Sequence, residues 1–351
     1  MTSASDAFHD GHFLLTGVTG FLGSEVFCRL ARSVGYDRVF CLVRRAPRPG
    51  SIFFKRLQEH GIEMDLEKIH FIETDFSTTE TFRTALELVQ SQTAAEQKFS
   101  VVHMAAIIHA KGEGEKRAQQ RLNIEVTDEL LDWSATSGAH FVYLSSVVSF
   151  GATLFKSKTR SEDAFDRFPW VSKFFSYYTS KRQSHQRVVA RAKVPVTLLC
   201  PGIIHGSLEM EKSSRKHLQY LREGKLKLAP SGSGNFVGLD RVAQSVVQSA
   251  MTVPQDKVQT RLLVDENMRF VDYFNKYVRL ARGGSAQVVR KLPTCIGFIA
   301  VGLHILFSKC GIGVAMLESI SQGTLHLNFT SVHKQPPTEG LEANLRKSLV
   351  Q

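Results

Sequence analysis

A tyrosine and a lysine stand four residues apart in the segment YYTSK, at Tyr177 and Lys181. On a helix this spacing puts both side chains on one face, so the ammonium group lies near the phenol. A nearby positive charge lowers the pKa of a phenol and makes it a usable proton donor or acceptor. The spacing therefore predicts an acid–base pair, whereas Tyr178 is expected to pack elsewhere on the helix.

Two serines end a strand-like run in the segment YLSS, at Ser145 and Ser146. In an open parallel sheet, residues at the carboxyl ends of the strands line the crevice in which ligands bind. Ser146 is therefore expected to hydrogen-bond a substrate carbonyl and the Tyr177 hydroxyl. Ser145 is expected to be a structural hydroxyl or to face a bound cofactor.

Three glycines stand three apart in TGVTGFLG, between the apolar run GHFLL and a helix-like stretch. In such a turn Gly17 allows the tight bend, Gly20 lets a pyrophosphate approach the backbone, and Gly23 lets the helix pack closely on the sheet. The free N–H groups at the start of the helix then face the phosphates. The turn predicts a dinucleotide site. Its predicted contacts are Gly17, Thr19, Gly20, Phe21, Leu22 and Gly23.

The end of the second strand-like run carries arginines where a carboxylate is common. In dinucleotide-binding folds an Asp or Glu there binds the ribose 2′-hydroxyl of NAD. This chain has Val43, Arg44 and Arg45 instead, and Arg44 is suited to pair with a 2′-phosphate. The prediction is NADP(H) in preference to NAD(H). The alternative is that these arginines are solvated surface charges, as we expect for Arg48.

Short apolar runs alternate with helix-compatible stretches through the first two hundred residues. The strand-like runs are GHFLL, RVFCLV, KIHFIETDF, FSVVHMAA, HFVYLSS and VPVTLLCPG. Near-continuous apolar strands separated by helices predict an α/β fold, a doubly wound parallel sheet covered on both faces. We divide the chain into a cofactor-binding domain at 1–205, a smaller and mostly helical substrate-binding region at 206–330, partly interleaved with the main sheet, and a flexible tail at 331–351.

The composition is that of a globular protein: 43% of the 351 residues are hydrophobic and 22% are charged. The net charge of +11 favours anionic partners, such as a phosphorylated cofactor, an acidic carrier or a membrane surface. We find no spacing typical of a metal site and no basic stripe with interleaved aromatics, so neither a metal nor nucleic acid is expected.

The cysteines and the N-terminal segment bear on the compartment. Five cysteines at scattered, apolar positions form no CxxC pair, which predicts reduced, buried thiols. MTSASDAFHDGH has neither the basic-then-apolar pattern of a secretory signal nor the character of a transit peptide. We expect the cytoplasm.

The most apolar segment is CIGFIAVGLHILF, from Cys295 to Phe307. It is shorter than the roughly 20 residues that span a bilayer, and its continuation to Leu317 is interrupted by Ser308, Lys309 and glycines. We expect a buried helix of the C-terminal region. Arg290 and Lys291 precede it, so a peripheral membrane contact through 295–317 stays open, as does a homodimer.

Taken together, these segments resemble the extended short-chain dehydrogenases/reductases. The resemblance rests on TGVTGFLG, TDF at 74–76, HMAA at 103–106, Asn123, YLSS, YYTSK, CPGIIHG at 200–206 and GLDRVA at 238–243. It implies a Rossmann domain and a catalytic Ser146, Tyr177 and Lys181. It further implies that Asn123 supports the active-site geometry. It also implies further cofactor contacts. Asp75 and Phe76 would flank the adenine, and Ala105 and Ala106 would line the cofactor. Pro201 and Gly202 would lie near the nicotinamide, and Tyr177 and Lys181 would contact the cofactor there, with Lys181 on the nicotinamide ribose.

Two positions depart from many members of that family. Cys200 replaces an arginine before Pro-Gly, and His185 and Gln186 replace a glutamate after the lysine. Together with the absent ribose-binding acid, they weaken the case for a nucleotide-sugar epimerase. The segment VFCLVRRAPRPGSIFFKRLQEHGI instead resembles the thioester-reductase and fatty acyl-CoA reductase branch.

Three functions follow as hypotheses. The preferred one is an NADPH-dependent reductase that transfers hydride to a carbonyl or an acyl thioester of a lipophilic small molecule. The second is an NAD(P)-dependent hydroxysteroid or sterol dehydrogenase, in which Tyr177 acts as a base. The third is a non-catalytic nucleotide-binding subunit, which the presence of both Tyr177 and Lys181 disfavours.

Overall fold

The computed structural model describes residues 11–63, 69–93, 98–110, 112–156, 159–209, 216–284, 288–310, 314–333 and 340–349. The strands are β1 (His12–Thr16), β2 (Val39–Val43), β3 (His70–Glu73), β4 (Phe99–His103), β5 (His140–Leu144), β6 (Val196–Pro201), β7 (Ile203–His205), β8 (Leu228–Ala229), β9 (Ser233–Gly238), β10 (Val258–Leu263), β11 (Glu266–Arg269) and β12 (Arg290–Lys291).

The helices surround the main sheet and build the C-terminal region. They are α1 (Phe21–Val34), α2 (Ile52–Glu59), α3 (Thr79–Ser91), α4 (Glu113–Gln120), α5 (Val126–Ser137), α6 (Ser176–Arg191), α7 (Lys216–Arg222), α8 (Leu239–Met251), α9 (Phe270–Arg282), α10 (Thr294–Lys309), α11 (Ala315–Thr324) and α12 (Leu341–Leu349). A π-helical turn, Arg121–Glu125, joins α4 to α5.

A seven-stranded parallel sheet forms the centre of the protein, in the order β10-β6-β5-β4-β1-β2-β3. The chain steps from β1 through β2 to β3 on one side and resumes with β4 on the other. The crevice at the carboxyl ends of β1 and β4 is therefore the topological switch point at which such sheets bind ligands. The predicted doubly wound α/β fold is confirmed.

Alternating side chains of β1 bury both faces of this sheet. Phe13 and Leu15 join a core with α1, α2 and α8, whereas Leu14 joins the core on the opposite face with α3 and α5. Successive residues of a strand point to opposite faces, so an uninterrupted apolar strand requires helices on both sides. These helices fix where β1 ends and hence where the glycine turn lies.

The chain after β6 returns once to the main sheet. Strand β10 pairs with β6 at its edge, while β7, β9 and β11 form a small separate sheet. The C-terminal segment is more ordered than predicted: α12 packs Leu341 and Leu345 among Tyr273, Tyr277 and other side chains of α9. The prediction of a flexible tail is therefore wrong for 341–349, because these two leucines are buried; residues 334–339 and 350–351 lie outside the described residues.

Helix α10 differs from the buried helix that was predicted. Ile296, Ile299, Leu303 and Leu306 are exposed, as are Cys295 and Cys310. The expectation of buried thiols holds for Cys28, Cys41 and Cys200 only. Of the helices in the described residues, none is long and apolar enough to cross a membrane.

Candidate active site

The glycine turn after β1 contacts the loop after β4. Gly17 has φ +79°, and a Cβ there would lie 2.8 Å from the Ala105 nitrogen. A Cβ on Gly23 would lie 2.6 Å from the carbonyl carbon of Gly17, so this glycine lets α1 pack on the turn itself and not, as predicted, on the sheet. A side chain at either position would push the backbone segments apart.

The middle of the turn is open on its outer side. Thr19 and Gly20 are exposed, and a Cβ on Gly20 would meet only the Gly17 oxygen, at 3.3 Å. No side chain caps the N-terminus of α1, which leaves first-turn N–H groups for an anion. The turn therefore fits a dinucleotide pyrophosphate. The Phe21 and Leu22 side chains are buried, so these two residues can contact the pyrophosphate only through their backbone.

The region after β2 and β3 is basic and exposed. Arg44, Arg45 and Arg48 are exposed, and Arg44 forms no ion pair with another described residue. The Asp75 carboxylate is exposed and accepts hydrogen bonds from the Ser77 backbone N–H at 2.8 Å and hydroxyl at 2.7 Å, which lower its pKa. Phe76 is buried against Phe82, which leaves its backbone for an adenine contact.

Ser146, Tyr177 and Lys181 lie together at the carboxyl ends of β5 and β6. Helix α6 begins one residue before Tyr177, so the predicted helical spacing to Lys181 is present. Ser146 lies close enough to the Tyr177 phenol to lower its pKa, and the Ser146 Oγ donates to the carbonyl oxygen of Pro201 at 3.4 Å. The Lys181 Nζ donates to the Leu144 carbonyl at 2.8 Å, which fixes the ammonium beside the strand end.

The pKa of Tyr177 differs from the sequence prediction in direction. Lys181 and Ser146 do lower it, but burial raises it more, so the net pKa is above the ordinary value. Burial likewise lowers the pKa of Lys181. The phenol is therefore protonated at neutral pH, which suits a proton donor.

A buried chain of hydrogen bonds, absent from the sequence prediction, links the glycine turn to Asn123. His103 is fully buried, with Nδ1 2.7 Å from the Thr16 hydroxyl and Nε2 3.0 Å from the Thr127 hydroxyl. Thr127 donates to the Asn123 carbonyl at 2.9 Å, so its oxygen accepts from His103 Nε2–H. Burial lowers the pKa of His103 to about 3, and a neutral ring completes the chain.

Asn123 connects the loop after β4 to α6. Its Oδ1 accepts from the Ile107 N–H at 2.8 Å, and its Nδ2 lies 2.9 Å from the Ile107 carbonyl and 3.1 Å from the Ser180 hydroxyl. The π-helical turn between α4 and α5 carries this side chain, and such turns are frequent at functional sites. These contacts agree with the supporting role that the resemblance implied.

We expect Asn123→Ala to reduce kcat/KM by about ten- to hundredfold, because the loop after β4 loses its connection to the helix of Tyr177. The variant also leaves the Ile107 backbone N–H unpaired, at a cost of about 1–3 kcal/mol in unfolding free energy, while the Ile107 carbonyl keeps its bond from the Gln119 amide. Steady-state kinetics and denaturant unfolding measure the two effects.

Asn275→Ala is the matched control for this variant. The Asn275 amide makes the same kind of paired contact with Val289, at 2.8 Å and 2.9 Å, in the C-terminal region. It should lose similar stability and keep its kinetics. Equal loss of activity in both variants would assign Asn123 a purely structural role.

Of the residues that depart from the family, Cys200 and His185 lie in the core and Gln186 is exposed. His185 is buried, stacks on Phe165 with ring centroids 4.2 Å apart, and has its Nδ1 3.1 Å from Ser145. Burial lowers the pKa of His185 to about 3 and raises that of Cys200 to about 12. Both residues are therefore neutral, and Ser145 is the structural hydroxyl that was one of its two expected roles.

The remaining predicted contacts follow strand ends. Ala105 and Ala106 follow β4 after Met104 and are half-buried. Pro201 ends β6, and a Cβ on Gly202 would lie 2.6 Å from the Asn235 carbonyl oxygen. The close approach of β9 to Gly202 thus joins the C-terminal sheet to the edge of the site.

A family model described as male sterility protein, one of the NAD-binding families, matches residues 15–245. The chain belongs to this family. It is an extended short-chain dehydrogenase/reductase, and its members are oxidoreductase-type enzymes with a nicotinamide cofactor. A search of curated proteins finds no matching relative.

Solved structures share the fold of this male sterility family member at low identity. The protein gox2253 has a TM-score of 0.67 at 18% identity, with 96% of each chain covered. UDP-glucuronic acid 4-epimerase from Bacillus cereus, in complex with NAD, has a TM-score of 0.64 at 17% identity, and the match covers 96% of this chain and 95% of the epimerase chain. ADP-L-glycero-D-manno-heptose-6-epimerase from Helicobacter pylori has a TM-score of 0.63 at 15% identity, and the match covers 99% of this chain and 98% of the epimerase chain.

Proposed function

We propose that this protein is an NADPH-dependent reductase that transfers hydride to a carbonyl or an acyl thioester of a lipophilic substrate. The observation that carries the proposal is the position of Tyr177 beside Ser146 and Lys181 at the end of β5, where burial raises the pKa of the phenol. A protonated phenol beside a second hydroxyl is the arrangement that reduction of a carbonyl needs.

The bound nicotinamide supplies the hydride; the residues supply position and protons. Ser146 Oγ hydrogen-bonds the substrate carbonyl oxygen and polarises it. Tyr177 gives its hydroxyl proton to that oxygen as hydride reaches the carbon. The Lys181 ammonium then stabilises the tyrosinate that remains. With a thioester, the resulting hemithioacetal loses a thiol and leaves an aldehyde.

The surroundings of Tyr177 support a lipophilic substrate. Tyr177 packs against an apolar cluster that includes Phe150, Val171 and Phe175. Residues at the edge of the same cluster are also apolar, among them Phe168 and Ile305. An apolar wall beside the proton donor favours an acyl chain or a sterol over a polar sugar.

Arg44 supports NADPH as the preferred cofactor, because its exposed guanidinium follows β2 directly and forms no ion pair with another described residue. We expect Arg44→Gln to raise the Kd for NADPH by about ten- to hundredfold and to leave the Kd for NADH unchanged. Isothermal titration calorimetry measures both constants. Arg48→Gln is the matched control, an exposed arginine four residues on, and should change neither constant. Equal weakening of NADPH and NADH by Arg44→Gln would contradict a 2′-phosphate contact.

The function itself is tested by turnover on a panel of acyl thioesters, aldehydes and sterols, with NADPH and NADH. The proposal expects NADPH oxidation with a long-chain thioester or aldehyde. Oxidation of a hydroxysterol with NAD and no reduction of thioesters would favour the dehydrogenase. Absence of binding of either coenzyme by folded protein would contradict every role assigned to the site.

A further inference from the structure

Helix α10 exposes one apolar side and buries Gly297 and Ala300 on the other. Ile296, Ile299, Leu303 and Leu306, which we call the α10 face, recur at intervals of three and four residues and are 39–62% exposed. The opposite side, with Gly297 and Ala300 among its buried residues, faces the protein. A surface helix normally shows the reverse pattern, so the α10 face needs a covering partner.

Exposed aromatic side chains extend this surface. Phe155 is 67% exposed, and its ring lies 5.4 Å from that of Phe298 on α10. Trp170 is 59% exposed, and its ring centroid lies 6.2 Å from that of Phe174. The Lys309 Nζ lies over the Phe174 ring, 6.0 Å from its centroid. Aromatic rings with a polar or cationic group nearby are typical of the boundary between lipid and water.

The segments that flank α10 in the sequence are basic. Between Asp272 and Glu318 the sequence contains six lysines and arginines and no acidic residue. Arg290 and Lys291 are exposed just before α10, and Lys309 is exposed at its end. A second copy of this surface would bring like charges together, whereas an anionic lipid headgroup layer complements them.

We propose that the α10 face lies in the surface of an anionic bilayer, with the helix parallel to the membrane plane. With 16 residues, α10 is about 24 Å long, too short to cross the hydrocarbon core of about 30 Å. The apolar side chains enter the acyl boundary while the flanking cations contact lipid phosphates. Helices that lie in the interface bind in this way, and α10 has its cations at its two ends instead of along a polar face.

The inner side of α10 reaches the element that carries Tyr177. His304 Nε2 donates to the Phe174 carbonyl at 3.1 Å, and its ring stacks on Phe175 at 4.8 Å. Phe175 directly precedes α6, and Val301 belongs to the apolar cluster around Tyr177. Under the proposed function, on which this point alone rests, a lipophilic substrate passes from the bilayer to the site along this contact.

Sedimentation of the full chain with vesicles tests the proposal. We expect binding to phosphatidylcholine vesicles that contain phosphatidylglycerol, and weaker binding without phosphatidylglycerol or at high salt. The double variant Ile299→Ser/Leu306→Ser should bind at least about tenfold more weakly. Leu88→Ser/Val189→Ser, which removes two apolar side chains of 45% and 42% exposure elsewhere, should bind as the unaltered chain does.

The outcomes separate this proposal from its alternatives. Calorimetric NADPH binding and circular dichroism show that each variant is folded, and vesicle binding does not depend on turnover. No binding to anionic vesicles, or equal binding by both double variants, overturns the proposal. A dimer in light scattering that Ile299→Ser/Leu306→Ser dissociates, with no vesicle binding, assigns the α10 face to a second copy and also overturns it.

Discussion

Tyr177→Phe is expected to reduce turnover by about 10²- to 10⁴-fold with little change in the Kd for NADPH. The substitution removes one oxygen and keeps the ring in its apolar surroundings, so the fold and the nucleotide site should persist. Only the proton for the substrate oxygen is lost. Single-turnover kinetics at saturating NADPH and calorimetric binding measure the two quantities separately.

The neighbouring tyrosine is the control for this variant. Tyr178 is buried, and its ring centroid lies 5.4 Å from that of Phe175. It therefore packs in the core on a different face of α6 from Tyr177, as the sequence predicted. Tyr178→Phe should keep most of its activity. If Tyr177→Phe kept more than about a tenth of the activity, the proton donor would have to be another group.

The raised pKa of Tyr177 also sets the pH dependence. The phenol is protonated below its pKa, so the reductive rate should stay level through neutral pH and fall as the pH approaches that raised value. The reverse oxidation, which needs the tyrosinate, should rise over the same alkaline range. A reductive rate that rises with pH would contradict a neutral phenol as the donor.

Gly23→Ala is expected to abolish dinucleotide binding, with a rise of at least about a hundredfold in the Kd for NADPH. The added Cβ would enter the space of the Gly17 backbone, so either α1 or the turn must move. Overpacking against backbone costs about 1–3 kcal/mol or more in stability. Thermal unfolding and calorimetric titration of the folded variant measure the two effects.

Gly114→Ala is the matched control. Gly114 lies in α4, and a Cβ there would meet no atom within 4 Å. Alanine in such a helix position should leave binding unchanged and stabilise the protein by about 0.4–1 kcal/mol. Normal NADPH binding by Gly23→Ala would show that the turn tolerates displacement and is not a rigid phosphate cradle.

The amino-acid sequence alone predicted the main strands and the groups that we propose take part in the reaction. The sheet strands and α1 could be predicted because continuous apolar runs and helical periodicity are properties of short windows. The glycine spacing and the Tyr177–Lys181 interval are local in the same sense. The resemblance to extended short-chain dehydrogenases/reductases used the same segments, and the family match confirms it.

Only the tertiary structure decided what depends on distant neighbours. His103 contacts Thr16, 87 positions away, and Thr127, 24 positions away, on the route to Asn123. Sequence periodicity does not predict pairs so far apart in the chain. The direction of the Tyr177 pKa follows from burial that other elements impose. Likewise, the apolar run predicts that α10 packs against apolar surroundings. Whether those surroundings are other helices of the protein depends on the tertiary structure, and here the neighbouring helices leave the α10 face exposed.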